Sequence, residues 1–260
     1  ARMVSDVHFG IGSDGIILIG PSREADFQMR IFNADGSEGK TCGNGLRCTA
    51  KYLFDHGYAR SRSFTLETLG GIVTVELQPE REDDHPNVGW VKVDMGTPRL
   101  LKGSLPMKGD PLSTTIGEPF WIGGREFHLT CLSMGNPHAI LFVEDVRQFP
   151  LEQVGPMIEH ADLFPERVNV GIVRVLNDRE LDYRVWERGS GLTMACGSGA
   201  CAAVVAATLH NLLARDEPIT VHLPGGDLLI HWDRYNHVWK TGPAAYICRG
   251  RLELEAAYAI

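Results

Sequence analysis

The sequence predicts an α/β protein of the α+β type, made of two like domains that face each other across a cleft. Three observations predict it. Short strand-like runs are frequent and credible helices are few. A pattern of strand, glycine-rich turn, Cys-Gly-x-Gly, helix and strand occurs twice. And the chain has 260 residues, enough for one large domain or two smaller ones.

In chain order, strand-like runs cover Gly15 to Gly20, Phe27 to Phe32, Ser63 to Thr68, Ile72 to Leu77 and Val88 to Asp94. In the second half they cover Ala139 to Val143, Val168 to Val175, Leu181 to Trp186, Ile219 to Leu223 and Leu228 to Trp232. Each is short, rich in Val, Ile, Leu or Phe, and bounded by Gly, Asn, Asp or Pro. A helix is predicted over Gly45 to His56, where Leu46, Ala50, Leu53 and Phe54 fall on one face. Ala200 to Ala214 is apolar all round, as a helix enclosed by sheet would be. Leu151 to His160 is a third. The charged stretch Glu80 to Asn87 reads as a hairpin tip or loop, and Leu101 to Gly117 is the nearest thing to a linker.

The repeat is specific. Arg30-Ile31-Phe32-Asn33 leads through nine positions to Cys42-Gly43-Asn44-Gly45, and Arg184-Val185-Trp186-Glu187 leads through nine to Cys196-Gly197-Ser198-Gly199. The offset is 154 residues throughout. A Gly-Gly step and an apolar strand follow each helix, at Gly70-Gly71 and at Gly225-Gly226. A chain with 29 glycines produces short matches by chance, but here the register holds over more than a motif's length.

Composition excludes several classes. The hydrophobic fraction is 43% and the charged fraction 22%, ordinary for a chain with a core to bury. A net charge of −8 argues against a nucleic-acid or anionic-membrane partner, either of which needs a basic face. The least charged stretch, Gly197 to Ala214, holds Thr208, His210 and Asn211 and is too polar and short to span a bilayer, which takes about 20 apolar residues. Ala1 to Gly10 carries Arg2, Asp6 and His8 where a signal peptide would be apolar. The expectation is a cytoplasmic protein with reduced thiols. Six cysteines contain no C-x-x-C pair and no usual zinc spacing, so no metal and no cofactor is expected.

Each repeated cysteine precedes a glycine-rich turn that opens a helix. The helix N-terminus exposes unpaired N–H groups and the positive end of the macrodipole. The thiol pKa is expected to fall there, and the amides of Gly43, Asn44, Gly197 and Ser198 can cradle an anion. With the halves face to face, a carboxylate would be held from both sides and two thiols would flank the neighbouring carbon. One thiolate would take a proton from one face and one thiol would return a proton to the other. That arrangement suits a racemase or epimerase without a cofactor. A redox disulfide between Cys42 and Cys196 is the other reading of the same proximity. Cys48, Cys131, Cys201 and Cys248 read as inert.

At these residues the sequence resembles the diaminopimelate epimerase family. The resemblance is carried by Phe32-Asn33-Ala34-Asp35-Gly36-Ser37-Glu38, Cys42-Gly43-Asn44-Gly45-Leu46-Arg47-Cys48, Met134-Gly135-Asn136-Pro137-His138, Pro165-Glu166-Arg167-Val168-Asn169, and Trp186-Glu187-Arg188-Gly189-Ser190-Gly191 through Ala195-Cys196-Gly197-Ser198-Gly199 to Ala203, in the expected order over nearly the whole chain. It implies two pseudo-symmetric domains, each a curved, mostly antiparallel sheet around a central helix, with the active site in the cleft. The expected division is 1–104, completed by a C-terminal strand over 243–260, and 105–242.

The resemblance also implies roles. Cys42 and Cys196 would be the acid/base pair, tuned by His138 and Glu187. Gly43, Asn44, Gly197 and Ser198 would hold the reacting carboxylate. Glu187 would accept a hydrogen bond from the α-ammonium. Asn33, Asn136, Asn169 and Arg188 would take the distal end of the substrate, for which an Arg fork and Asn amides are suited. Taken alone, Asn136 reads as a turn residue before Pro137, His138 as a core histidine and Arg188 as a surface charge.

Two departures stand out. The family pattern opens with about one more strand and helix, including a Met-His-Gly-x-Gly-Asn-Asp segment, and Ala1 to Gly10 corresponds to the later helix. Gly15 stands where some members carry a substrate-contacting Gln. The expected function is epimerisation of LL- to meso-diaminopimelate in lysine and peptidoglycan-precursor synthesis. The alternatives are a sister racemase for histidine or proline, or a non-catalytic amino-acid-binding thiol switch. The expected partner is a small amino acid, and a homodimer is compatible with the sequence.

Overall fold

The structure, a computed structural model, describes residues 1–40, 42–79 and 88–252. The predicted loop over 80–87 lies outside the described residues. The chain forms two compact units, Ala1–Val93 together with the chain from Gly242, and Asp94–Thr241.

The first unit contains α1 (Arg2–Ser5), β1 (Gly15–Gly20), β2 (Phe27–Asn33), β3 (Glu38–Gly39), α2 (Gly43–Asp55), β4 (Ser63–Thr68), β5 (Gly71–Leu77) and β6 (Val88–Asp94), whose last residue counts with the second unit. Its strands run in the order β1-β2-β4-β5-β6, with β3 on β2. β1/β2, β4/β5 and β5/β6 are antiparallel, while β2/β4 is parallel. A parallel pair needs a crossover, and α2 supplies it. Leu46, Ala50 and Leu53 on one face of α2 are buried, as the 3.6-residue period predicts. They lie over β5, β1 and β2, and Met29 of β2, Val75 of β5 and Leu66 of β4 are buried with them.

The second unit contains β7 (Thr115–Ile122), β8 (Arg125–Ser133), β9 (Pro137–Phe142), α3 (Leu151–Glu159), β10 (Asn169–Asn177), β11 (Glu180–Glu187), β12 (Gly191–Thr193), α4 (Gly197–Leu209), β13 (Pro218–Leu223), β14 (Gly226–Trp232) and β15 (Val238–Ala245), whose last residues count with the first unit. The order is β15-β14-β13-β11-β10-β9-β8-β7, with β12 on β11. β9/β10 and β11/β13 are parallel and the other pairs antiparallel. α4 is enclosed by strands β8 to β11, β13 and β14, and Ala200 to Ala207 are all buried. The helix that reads apolar all round therefore has sheet all round it. α3 packs on the other face of β10, where Val170 and Ile172 meet Leu151, Val154 and Ile158.

The duplication extends to topology. β1-β2-α2-β4-β5 is matched by β10-β11-α4-β13-β14, with the parallel pair in the same place. α2 and α4 have 13 residues each and start 154 positions apart. The second glycine of each Cys-Gly-x-Gly marks where helix meets sheet. A Cβ on Gly199 would lie 2.1 Å from Tyr183 Oη, and one on Gly45 would lie 2.9 Å from Ile17 Cδ1.

The sequence reading differs from the structure at several points. α4 ends at Leu209 rather than Ala214, because Asn211 takes a left-handed φ of 57°. β7 and β8 occupy a stretch in which no strand was predicted. Residues 94–104, expected in the first domain, pack in the second unit: Arg99 bridges Ser133, and Leu101 bridges Thr114. The C-terminal strand is β15, which ends at Ala245; residues 246–252 form no strand.

Candidate active site

Each repeated cysteine is the N-cap of its helix. Cys42 has extended φ and ψ of −136° and 111°, and Cys196 has −123° and 107°. That geometry turns the side chain back over the first helical turn, whose N–H groups have no partner within the helix. Cys42 Sγ accepts from Gly45 N at 3.5 Å. Gly43 and Asn44 are the first two helical residues. Upstream, Asn33 ends β2 and its Nδ2 donates to Ser37 Oγ at 3.0 Å. Asp35 is a turn residue, since its Oδ1 accepts from Ser37 N at 2.8 Å.

In the second unit a chain of polar contacts leads to the thiol. Asn136 Oδ1 lies 3.0 Å from His138 Nε2, which lies 3.2 Å from Ser198 Oγ. Ser198 Oγ is in turn 3.6 Å from Cys196 Sγ. His138 is fully buried, and its Nδ1 has no hydrogen-bond partner among the described residues. Burial, with the Arg188 charge adding to it, pushes its pKa down to about 3, so the imidazole is neutral.

Cys196 is only 5% exposed. Burial first and the Glu187 carboxylate second push its pKa up to about 12, against a smaller opposing pull from the Ser198 hydroxyl. The lowered value expected from the helix N-terminus is therefore wrong for Cys196. Desolvation of a thiolate beside a carboxylate outweighs a half-charge dipole. In this state Cys196 is a proton-bearing thiol. Against Gly197 lies Lys240 Nζ, 2.5 Å from where a Cβ would stand, so a larger residue there would displace the end of the Lys240 side chain.

Glu187 and Arg188 sit at the end of β11. Thr193 Oγ1, one strand over on β12, donates to Glu187 Oε1 at 2.5 Å. Arg188 N donates to Asn169 Oδ1 at 2.9 Å, and Asn169 Nδ2 donates to Pro137 O at 2.8 Å. Asn169 is 4% exposed, so this amide braces the turn and the His138 strand. The Arg188 guanidinium is exposed, with Nη1 on Glu166 O at 2.9 Å.

The structure thus gathers Asn136, His138, Asn169, Glu187, Arg188, Cys196, Gly197 and Ser198 in the second unit. Asn33, Cys42, Gly43 and Asn44 lie along the corresponding turn of the first. Sequence reading missed Thr193 and Glu159. Glu159 had a signal: Leu151, Val154, Gly155, Ile158 and Glu159 share one buried helical face, which puts a carboxylate on an apolar stripe. A cavity of about 620 Å³ at the far end of α4 is lined by Leu209, Leu213, Arg215 and Trp232 and carries no thiol or carboxylate. No group of three or more His, Cys, Asp or Glu able to hold a metal occurs among the described residues, and no helix there is long and apolar enough to cross a membrane.

A family model described as Diaminopimelate epimerase matches residues 1–101 and 130–247. This chain belongs to the diaminopimelate epimerase family. A diaminopimelate epimerase of Geobacillus thermodenitrificans is 53% identical over 250 residues, covering 96% of this chain and 85% of that one. Solved structures share the fold at much lower identity. A probable proline racemase from Agrobacterium radiobacter K84 has a TM-score of 0.67 at 16% identity, covering 99% of this chain and 81% of that one. A hydroxyproline epimerase from Agrobacterium vitis has 0.66 at 15%, covering 94% and 76%. Both cysteine turns and the Glu187–Arg188 turn fall inside the residues that match the diaminopimelate epimerase family.

Proposed function

We propose that this chain interconverts LL- and meso-diaminopimelate with its own thiols as acid and base. The observation that carries the reading is the pair of cysteine N-caps in a chain of this family. Cys196 enters as thiol, which leaves Cys42 as the base for a turnover that starts from this state. The Cys42 thiolate takes the α-proton, and the C–H electron pair moves into the carboxylate. The Cys196 S–H then gives its proton to the opposite face of the carbon. The product leaves an enzyme with the two roles exchanged, and the reverse reaction uses that form.

The amides of Gly43, Asn44, Gly197 and Ser198 hold the carboxylate as its charge grows. Each such donor is worth about 3 kcal/mol in the transition state. Glu187, held by Thr193, accepts from the α-ammonium. Arg188, with Asn33 and Asn136, recognises the distal amino-acid end, and Asn169 holds Arg188 in place. Neutral His138 acts on Cys196 through Ser198.

The test is deuterium incorporation at the α-carbon of LL-diaminopimelate in heavy water. The parent incorporates one deuteron per epimerisation. Cys42→Ala and Cys196→Ala each lose more than 1000-fold, roughly the loss of an essential acid or base. Cys48→Ala and Cys201→Ala keep most of the activity. Near-parental turnover in either of the first two sinks the two-base reading.

A further inference from the structure

Glu159 is an unusual place for a carboxylate. It is 2% exposed and ends α3, where the negative end of the macrodipole disfavours an anion. The cation beside it, Arg167 Nη1 at 3.7 Å, belongs to a half-exposed side chain. Burying such a group is unfavourable unless good hydrogen bonds offset it. Its two strong bonds go to one place. Trp186 Nε1 donates to Oε2 at 2.7 Å, and Gly189 N donates to Oε1 at 3.0 Å.

Those donors bracket Glu187 and Arg188. Glu187 to Ser190 form the turn that joins β11 to β12, closed by Ser190 N on Glu187 O at 3.0 Å, with Gly189 at φ 78°. α3 seats directly on this turn: a Cβ on Gly155 would lie 2.6 Å from Trp186 Cγ. Arg167, also at Glu159, has a left-handed φ of 62° and lies next to Glu166, whose carbonyl takes the Arg188 guanidinium. One buried carboxylate thus ties together the helix end, the 165–169 loop and both flanks of the Glu187–Arg188 pair.

We infer that Glu159 is a positioning residue for substrate recognition: it sets the direction in which Glu187 and Arg188 leave the β11 turn, and so the alignment of a substrate with two amino-acid ends. This rests on the roles proposed above for Glu187 and Arg188. Glu159 touches no substrate itself. A shift of about 1 Å in the groups it holds would cost roughly 100-fold in turnover.

The test compares the parent with Glu159→Gln, Trp186→Phe and the double variant. Gln keeps one acceptor oxygen and turns an amide N–H₂ toward the other donor. Phe removes one donor and keeps a ring over Gly155. Two readouts are taken: kcat/KM per folded molecule on LL-diaminopimelate, and amide hydrogen exchange of the 186–191 segment. Glu159→Gln should lose at least tenfold in kcat/KM and exchange 186–191 at least tenfold faster, with the α4 segment unchanged. Trp186→Phe should lose less, and the double variant should be no worse than Glu159→Gln alone, since both act through one contact. Parental exchange at 186–191 with parental kcat/KM in folded Glu159→Gln overturns the inference, as does a loss that follows only the fraction unfolded. If Glu159→Gln does not fold, Trp186→Phe decides: slower or equal exchange at 186–191 overturns the inference. A parent that does not epimerise diaminopimelate overturns the proposed function instead, and the exchange measurement still decides whether Glu159 holds the turn.

Discussion

Cys196 and Glu187 show how two unfavourable placements make a useful acid. A thiol taken out of water beside a carboxylate holds its proton, with its pKa pushed up to about 12. Alkylation reports this directly, because only thiolate reacts. In the ligand-free enzyme the Cys196 alkylation rate should climb about tenfold per pH unit from pH 7 to 10 with no plateau, whereas an ordinary thiol near 8.5 levels off by pH 10. Glu187→Gln removes the second cause, so the thiol pKa falls and alkylation at pH 8 speeds up several-fold. A profile that levels off near pH 9 in the parent, or no acceleration in the variant, contradicts the assignment. Arg188 makes a separate prediction. Lys keeps its charge but loses the planar fork. Arg188→Lys should cut diaminopimelate kcat/KM by about 10- to 100-fold, the worth of a bidentate charged hydrogen bond. Exchange of a shorter amino acid's α-proton should change less. Equal losses on both substrates would place Arg188 at the reacting centre.

The two helices that carry the cysteines make the same demand on sequence with different tolerance. Gly199 faces the hydroxyl end of Tyr183, itself fully buried and with Oη lacking a partner among the described residues. Gly45 faces the tips of Ile17 and Met29, which can swing aside. Ala for Gly inside a helix gains about 1 kcal/mol from propensity. Overpacking at Gly199 outweighs that gain, since a Cβ would be 2.1 Å from Tyr183 Oη; Gly199→Ala should destabilise by about 2 kcal/mol in urea unfolding. Gly45→Ala should come out near zero, and Tyr183→Phe should relieve part of the Gly199→Ala loss. A stabilised Gly199→Ala would refute this packing account. The same local chemistry explains what could be read from sequence. β4 and β13 alternate burial residue by residue, and each reads in the sequence as a short apolar run between turn residues. β7 carries Gly117 at φ 64° and Pro119, with a bulge between Thr115 and Glu118, and such breakers hide a strand. β3 and β12 are too short to have a period at all.

At the scale of the molecule, the repeat of 154 residues made the two cysteine turns legible, because chemistry and duplication marked the same positions. What it left hidden is what tertiary packing decides: which thiol is buried, and which polar groups are drawn into the second unit. His138 is the clearest case, a residue that reads equally well as core or as site and proves to be fully buried among site residues. Its burial affects the stability of the whole fold. An unfolded chain protonates His138 at about 6.5, while the folded one resists until about 3. Between those values the unfolded state binds the extra proton, so stability falls as pH falls, by up to about 1.4 kcal/mol per pH unit from this group. Above 6.5 the contribution is complete and flat. Urea unfolding of the parent at pH 6.5 and 4.5 should show a drop that includes about 2 kcal/mol from His138. His138→Gln keeps a neutral polar group facing Asn136 and Ser198 but removes the titration. It should be less stable than the parent at pH 7 yet lose about 2 kcal/mol less over the same interval. Other carboxylates and histidines titrate in both proteins and cancel in the comparison. Parallel stability curves for parent and variant between pH 6.5 and 4.5 would mean that His138 accepts its proton in the folded state, and with it that the Asn136–His138–Ser198 chain can carry a positive charge next to Cys196.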